Sequence, residues 1–279
     1  MNNNNYSGPP DGGAGHQGQQ GQHVQTKTSA FKPTESHEIE YIIHGNDMQF
    51  VEVILDPEET VVAETGSMMY MEQGVQMETK MGDGSKKGSG VIGSLVGAAK
   101  RKMSGEDMFM THFSNRGRGK VSIAFAAPYP GQIIPIDLGV SGGQILCQKG
   151  GFLCGAKGTS LSLGFTKRIG AGMFGGEGYV LQKISGDGLA FVHSGGTIIE
   201  KQIPAGQLLY VDTGSVVGFE SSIDFDIQMV KGLSNMMFGG EDLFFSTLKG
   251  PGRVWIQSMP FPRLAATMRY AIIGMNNNK

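Results

Sequence analysis

The chain has 279 residues, with 45 glycines, 11 prolines, 39% hydrophobic residues and a net charge of −2 from 23 basic and 25 acidic side chains. A glycine share about twice the roughly 7% average, with no Gly-X-Y period, excludes collagen-like structure. It also disfavours long helices, where each interior glycine costs about 1 kcal/mol relative to alanine. The near-neutral charge disfavours broad electrostatic binding of nucleic acid, and two cysteines make no disulfide framework.

In chain order, residues 1–35 are rich in Asn, Gln, Gly and Pro with hardly any aliphatic side chains, so they read as a disordered leader that cannot offset its ordering entropy. Met1–Gln25 holds no Lys, no Arg and no apolar run, unlike a secretory signal or transit peptide. The apolar stretch Val91–Ala99 is far short of the ~20 residues that span a bilayer. A cytoplasmic location is therefore the expectation. The folded part is expected over 36–273, with 274–279 as a frayed end.

Within that part, Met-Phe-Gly-Gly-Glu occurs at Met173–Glu177 and again at Met237–Glu241, with a looser copy at Met103–Glu106. Gly150 and Gly214 are 64 residues apart, as are the two copies of that pentamer and the Gly-x-Gly turns beginning at Gly186 and Gly250, with Gly66 and Gly117 as the corresponding first copies. Short apolar strands recur around them. They are Val61–Val62, Ile145–Leu146 and Leu208–Tyr210, then Met68–Tyr70, Phe152–Cys154 and Val216–Phe219. Met108–Met110, Tyr179–Leu181 and Leu243–Phe245 follow, and the period-two runs Val121–Phe125 and Arg253–Gln257 end the pattern. The pattern predicts an all-β domain of three tandem repeats, about 50–138, 143–204 and 206–262, packed with pseudo-threefold symmetry around a shared core and closed by short cap helices.

Gly105–Phe109, Gly119–Val121 and the run Pro128-Tyr129-Pro130-Gly131-Gln132-Ile133-Ile134-Pro135-Ile136-Asp137-Leu138 together resemble the altered inheritance of mitochondria protein 24 family over most of 38–265. The resemblance implies a fold like that of the tryptophan RNA-binding attenuation protein, a double-stranded β-helix-like sandwich in three tandem copies, and it implies no enzyme activity. The family's eukaryotic namesake is tied to mitochondrial inner-membrane organisation. A mitochondrial role does not transfer to a chain with no transit peptide.

Features present in all three repeats serve the fold first. Glu106, Glu177 and Glu241 read as turn or edge hydrogen-bond acceptors, with convergence of three carboxylates on a cation as the alternative. Gly66, Gly150 and Gly214 read as positive-φ hairpin positions. His112 lines up with Lys183 and Thr247, and His193 with Ala124 and Gln257, which places both on strand surfaces. Cys147 and Cys154 flank Gly150–Gly151 and face each other only if those two residues form the loop. Otherwise they are two separate buried thiols. No zinc spacing, nucleophile elbow or phosphate loop occurs, so no enzyme, metal or cofactor is expected.

The chemically distinct stretch is Lys80–Met103, where Lys86 and Lys87 precede an apolar run that ends in Lys100, Arg101 and Lys102. Lys167 and Arg168 take the corresponding place in repeat two. These residues form a candidate interaction patch beside a cap helix. The expected function is a non-enzymatic scaffold working through a protein partner, self-association or an anionic membrane surface. A small-ligand or RNA-binding module is the alternative, and it rests on fold analogy alone.

Overall fold

A computed structural model describes residues 36, 38–64, 66–81, 109–167, 178–229 and 244–276. Their strands form four antiparallel sheets. The first runs β1 (Glu40–His44), β2 (Phe50–Leu55), β7 (Val121–Ala126), β4 (Met68–Met71). The second runs β5 (Val75–Met81), β6 (Phe109–Asn115), β3 (Thr60–Ala63), β10 (Phe152–Ala156), β13 (Leu189–Gly195), β8 (Gly131–Asp137). The third runs β11 (Ser160–Lys167), β12 (Tyr179–Ser185), β9 (Gln144–Gln148), β16 (Val216–Glu220), β19 (Gly252–Gln257), β14 (Ile198–Ile203). The fourth has β15 (Leu208–Asp212), β18 (Phe244–Lys249) and β17 (Asp224–Met229). One helix, α1 (Phe261–Asn276), follows β19.

The all-β expectation holds, and residue patterning explains where each strand lies. In β2 the alternate residues Val51, Val53 and Leu55 are buried and the intervening ones are half-buried, as expected of a strand with one face on a core. β3 and β10 are buried at every residue, because the second sheet is covered on both sides. Three core clusters separate the sheets. One holds Val51, Val53, Ile123 and Phe125 of the first sheet with Val61, Phe113 and Phe191 of the second. The next joins Val62, Met110, Phe152 and Val192 to Ile145, Leu161, Ile184 and Trp255 of the third. The last joins Tyr179, Phe219 and Val254 to Val211, Ile227 and Leu248 of the fourth. None of these clusters mixes the first and fourth sheets. Trp255, Tyr179, Phe125, Phe191 and Phe219 are the largest fully buried side chains. Burying each such aromatic stabilises the fold by about 1.5–3 kcal/mol.

The two six-stranded sheets are each joined at their middle. There β3 meets β10 with Ala63 opposite Cys154, Val62 opposite Gly155 and Val61 opposite Ala156. In the third sheet β9 meets β16 with Cys147 opposite Gly218, Leu146 opposite Phe219 and Ile145 opposite Glu220. β10 and β16 each carry a bulge where they pair with β13 and β19, between Phe152 and Cys154 and between Val216 and Gly218. β4 carries one against β7, between Met68 and Tyr70. Approach at the joint is close: a Cβ on Gly218 would stand 2.6 Å from the Leu146 carbonyl oxygen.

Several local expectations need correction. Gly66 and Gly150 do adopt positive φ, 96° and 78°. They sit in turns that carry the chain from one sheet to another, however, because β3 and β4, like β9 and β10, lie in different sheets. Gly214 has no positive φ and lies in the 3-10 turn Thr213–Ser215. The strands β5, β11 and β17 and the strands β2, β8 and β14 were not read from the sequence. Neither was α1, which continues past the boundary drawn at 273. The cap helix expected over 80–103 lies outside the described residues from 82 onward.

Candidate functional site

Buried polar groups gather at the joints between sheets. At the second joint the Gln257 Nε2 donates to Gln148 Oε1 and to the Gly214 carbonyl, each at 2.9 Å, and its Oε1 accepts from the Gly195 amide at 2.8 Å. The Gly150 amide donates to Gln182 Oε1 at 3.1 Å. Strand pairing puts His193 at the first joint where Gln257 stands at the second, since Val192 lies opposite Phe152 and Ile256 opposite Val216. His193 is buried and meets the Tyr129 ring edge-on at 4.6 Å. Burial pushes its pKa down to about 4, only partly offset by a hydrogen bond to the Tyr129 backbone. Its Nδ1 is buried without a hydrogen-bond partner. His112 is buried too. Both histidines therefore overturn the strand-surface expectation. Both belong to the second sheet, at 3% exposure for His193 and 5% for His112.

Cys147 and Cys154 are free and buried. β9 and β10 lie in different sheets, so they form no hairpin in which the two thiols could oppose each other, and the residues belong to different core clusters. Burial raises both thiol pKa values, which removes the thiolate that nucleophilic or redox chemistry needs. Among the described residues no group of three His, Cys, Asp or Glu side chains is placed to hold a metal ion. Glu106, Glu177 and Glu241 lie outside the described residues.

Of the expected basic patch, Lys86, Lys87, Lys100, Arg101, Lys102 and Arg168 also lie outside them. Lys167 ends β11, where its ammonium pairs with Asp226 of β17 at 2.5 Å and donates to the Ile227 carbonyl at 2.7 Å. That contact holds the Asp226 carboxyl below its usual range. Lys167 thus ties the third sheet to the fourth. Arg253 ties strands within the third sheet: its Nε bonds Glu220 at 2.7 Å while its guanidinium lies 5.6 Å over the Trp255 ring, and the Trp255 indole donates to Glu200 at 2.8 Å. Beyond Arg and Trp two residues apart, nothing in the period-two pattern of Arg253–Gln257 distinguishes this network from an ordinary strand.

Large apolar side chains are exposed on several elements, among them Met48, Val140, Leu163 and Ile199, and most closely grouped on β4, β15 and α1. All four residues of β4, Met68, Met69, Tyr70 and Met71, are exposed. Met77 on β5 is 58% exposed. On β15, Leu208 and Tyr210 are 54% and 63% exposed. Tyr70 also approaches Glu52, and burial together with that hydrogen bond raises its pKa to about 12, so it stays a neutral donor. On α1, Phe261, Met268 and Ile272 are exposed. Their spacing puts them on one face. The helix contains two arginines and no acidic residue. Arg263 is tethered to Asp212 at 3.2 Å, and Phe261 stacks on Tyr129 at 5.0 Å.

Comparison with known proteins agrees with this architecture. The chain is 34% identical over 226 residues to an uncharacterized protein of Streptococcus pyogenes serotype M6, an alignment that covers 80% of this chain and 87% of that protein. A crystal structure of a Streptococcus pyogenes protein superposes with a TM-score of 0.64 at 27% identity, covering 84% of this chain and all of that one. A family model described as mitochondrial biogenesis AIM24 matches residues 41–259, and the chain belongs to that family.

Proposed function

We propose that this protein is a non-enzymatic scaffold that works in the cytoplasm against a membrane surface, with α1 as the contact. The observation that carries the reading is the exposed face of α1, where Met268 and Ile272 face solvent beyond Phe261, which packs on Tyr129, on a helix with no acidic side chain. A helix of this kind lies in the interface with its apolar face among the acyl chains and gains from anionic headgroups. No described helix is long and apolar enough to cross a membrane. The basic run at Lys86, Lys87, Lys100, Arg101 and Lys102 would add to the same attraction, at about 1 kcal/mol for each cation near the surface.

We further read the recurring strand order as a triplicated β unit. The orders β5-β6-β3, β11-β12-β9 and β17-β18-β15 match one another, and so do β4-β7-β2, β10-β13-β8 and β16-β19-β14. That recurrence supports a unit built for joining sheets rather than for enclosing a substrate.

Co-sedimentation of the full chain with vesicles tests the membrane reading. Binding is expected to vesicles containing anionic phospholipid and to fall severalfold in Met268→Glu/Ile272→Glu, whose positions are exposed and leave the β core intact. Equal absence of binding to anionic and neutral vesicles contradicts the reading. A salt-dependent affinity for RNA in place of vesicle binding would favour the nucleic-acid module that the fold resemblance implies.

A further inference from the structure

Each internal joint brings together two groups of three strands. One group ends on β3 or β9, and the other begins on β10 or β16. The ends of the molecule hold the same two halves unjoined: β15 closes the group β17-β18-β15, and β4 opens the group β4-β7-β2. We infer that β15 of one copy pairs antiparallel with β4 of a second copy in the register of the internal joints, so that copies of the chain associate head to tail.

The register follows from the two joints on view. Tyr70 lies opposite Ala124 just after a bulge, as Cys154 lies opposite Phe191 and Gly218 opposite Trp255. Val211 lies opposite Ser246 as Cys147 lies opposite Gln182 and Ala63 opposite Thr111. Carried over, Tyr70 meets Val211, Met71 meets Tyr210, and Glu72 meets Leu209. The pairing satisfies backbone groups that an edge strand leaves open, and the strands meeting there, Met-Met-Tyr-Met and Leu-Leu-Tyr-Val, are apolar on both sides.

The same contact accounts for three separate exposed sites. The counterparts of Met68, Met69 and Met71 in β16 are Val216, Val217 and Phe219, all buried. Met77 lies opposite Phe113 as Leu161 lies opposite Ile184. Leu161 is fully buried in a cluster with Val62 and Met110 of the preceding group, whereas Met77 has no preceding group to cover it. Tyr210 is the counterpart of Val62, which the following sheet buries completely, and among the described residues no sheet follows it. A second copy supplies both missing layers.

The turn serine agrees with the pairing. Ser67 Oγ bonds the Glu64 carbonyl within its own turn at 2.9 Å and reaches the Leu153 carbonyl across the first joint at 3.2 Å. Its counterpart Ser215 makes the turn contact, to Asp212 at 3.1 Å, and in the paired state the Met69 carbonyl takes the place of Leu153. The chain cannot use its own β4 for this in the observed arrangement, since the two strands belong to the first and fourth sheets, which share no core cluster.

An interface that uses two different surfaces has a distinctive signature. A Met71→Asp chain keeps a working β15, and a Tyr210→Asp chain keeps a working β4. In sedimentation velocity without lipid, the full-length chain is expected as assemblies larger than one copy that grow with concentration. Either variant alone is expected to need at least tenfold higher concentration to assemble. An equal mixture of the two is expected to form a two-copy complex and stop there, a rescue that only folded chains can give. If an aspartate variant loses cooperative unfolding, the corresponding lysine variant takes its place. The inference is overturned if the unaltered chain stays at one copy throughout, if either variant assembles as the unaltered chain does, or if the mixture fails to associate. Because lipid is absent, none of these outcomes bears on the α1 reading.

Discussion

The joints inside this protein and its two free ends, which the proposed triplication makes counterparts, differ in burial and in packing. At the joints, β10 and β16 are sealed between layers, glycine allows the backbones to approach, and glutamines satisfy the amides. At the ends, β4 and β15 turn methionine, leucine and tyrosine to solvent. Burial in this fold is a property of a strand's neighbours, and a strand of the same kind becomes core or surface according to whether a further sheet follows it.

Substitutions at corresponding positions should separate the two regions. The largest effect is expected for Trp255→Ala at the second joint, which should cost about 3–5 kcal/mol in denaturant unfolding because it empties a fully buried indole site. The reverse change at the corresponding end position, Ala124→Trp, would overpack a buried site and cost about 1–3 kcal/mol.

Acid should weaken the first joint. Between about pH 6.5 and pH 4 the unfolded chain takes up a proton on His193 that the folded chain excludes. Stability therefore falls as the pH drops through that window, by up to about 3 kcal/mol at about 1.4 kcal/mol per pH unit. Glu64, whose carboxyl burial raises, works in the opposite sense. The difference between the unaltered chain and His193→Gln, which copies Gln257, isolates the histidine. Equal slopes in the two proteins would show that His193 is not kept neutral.

Gly218→Ala should cost about 1–3 kcal/mol, since the added methyl meets a backbone carbonyl. Tyr210→Ala at the free end should change monomer stability by no more than about 0.5 kcal/mol. A large loss there, measured at a concentration where the chain is monomeric, would mean that the end is not free.

The strands that pair across the joints were legible because apolar triplets such as Phe152–Cys154 and Val216–Phe219 recur at a fixed distance from Gly150 and Gly214. β11 and β17 were missed because Ser-Leu-Ser-Leu-Gly-Phe and Asp-Phe-Asp-Ile are strands half open to solvent, whose composition matches that of loops. α1 carries a signal in Leu264, Met268 and Ile272 that a glycine-rich background masked. The histidines were misplaced because unlike residues at corresponding positions suggested a surface. A buried site can take His in one joint and Gln in the next, with Gln257 fully hydrogen-bonded and the His193 Nδ1 left without a partner. The exposed ends had no sequence signature. Met-Met-Tyr-Met reads as an ordinary core strand, and only the sheet order shows that no further described strand pairs with its outer edge.

The central claim is that the free ends are halves of one joint. Met71→Cys and Tyr210→Cys, made in separate full-length chains, mixed and mildly oxidised, test it most directly, because opposite residues on antiparallel strands have Cα atoms about 4.5–5.5 Å apart, a separation that a disulfide spans. The native thiols are buried and stay out of the reaction. The account predicts a disulfide-linked two-copy species that forms from the mixture and far less from either chain alone. Equal crosslinking of each chain with itself, or none in the mixture, would contradict it.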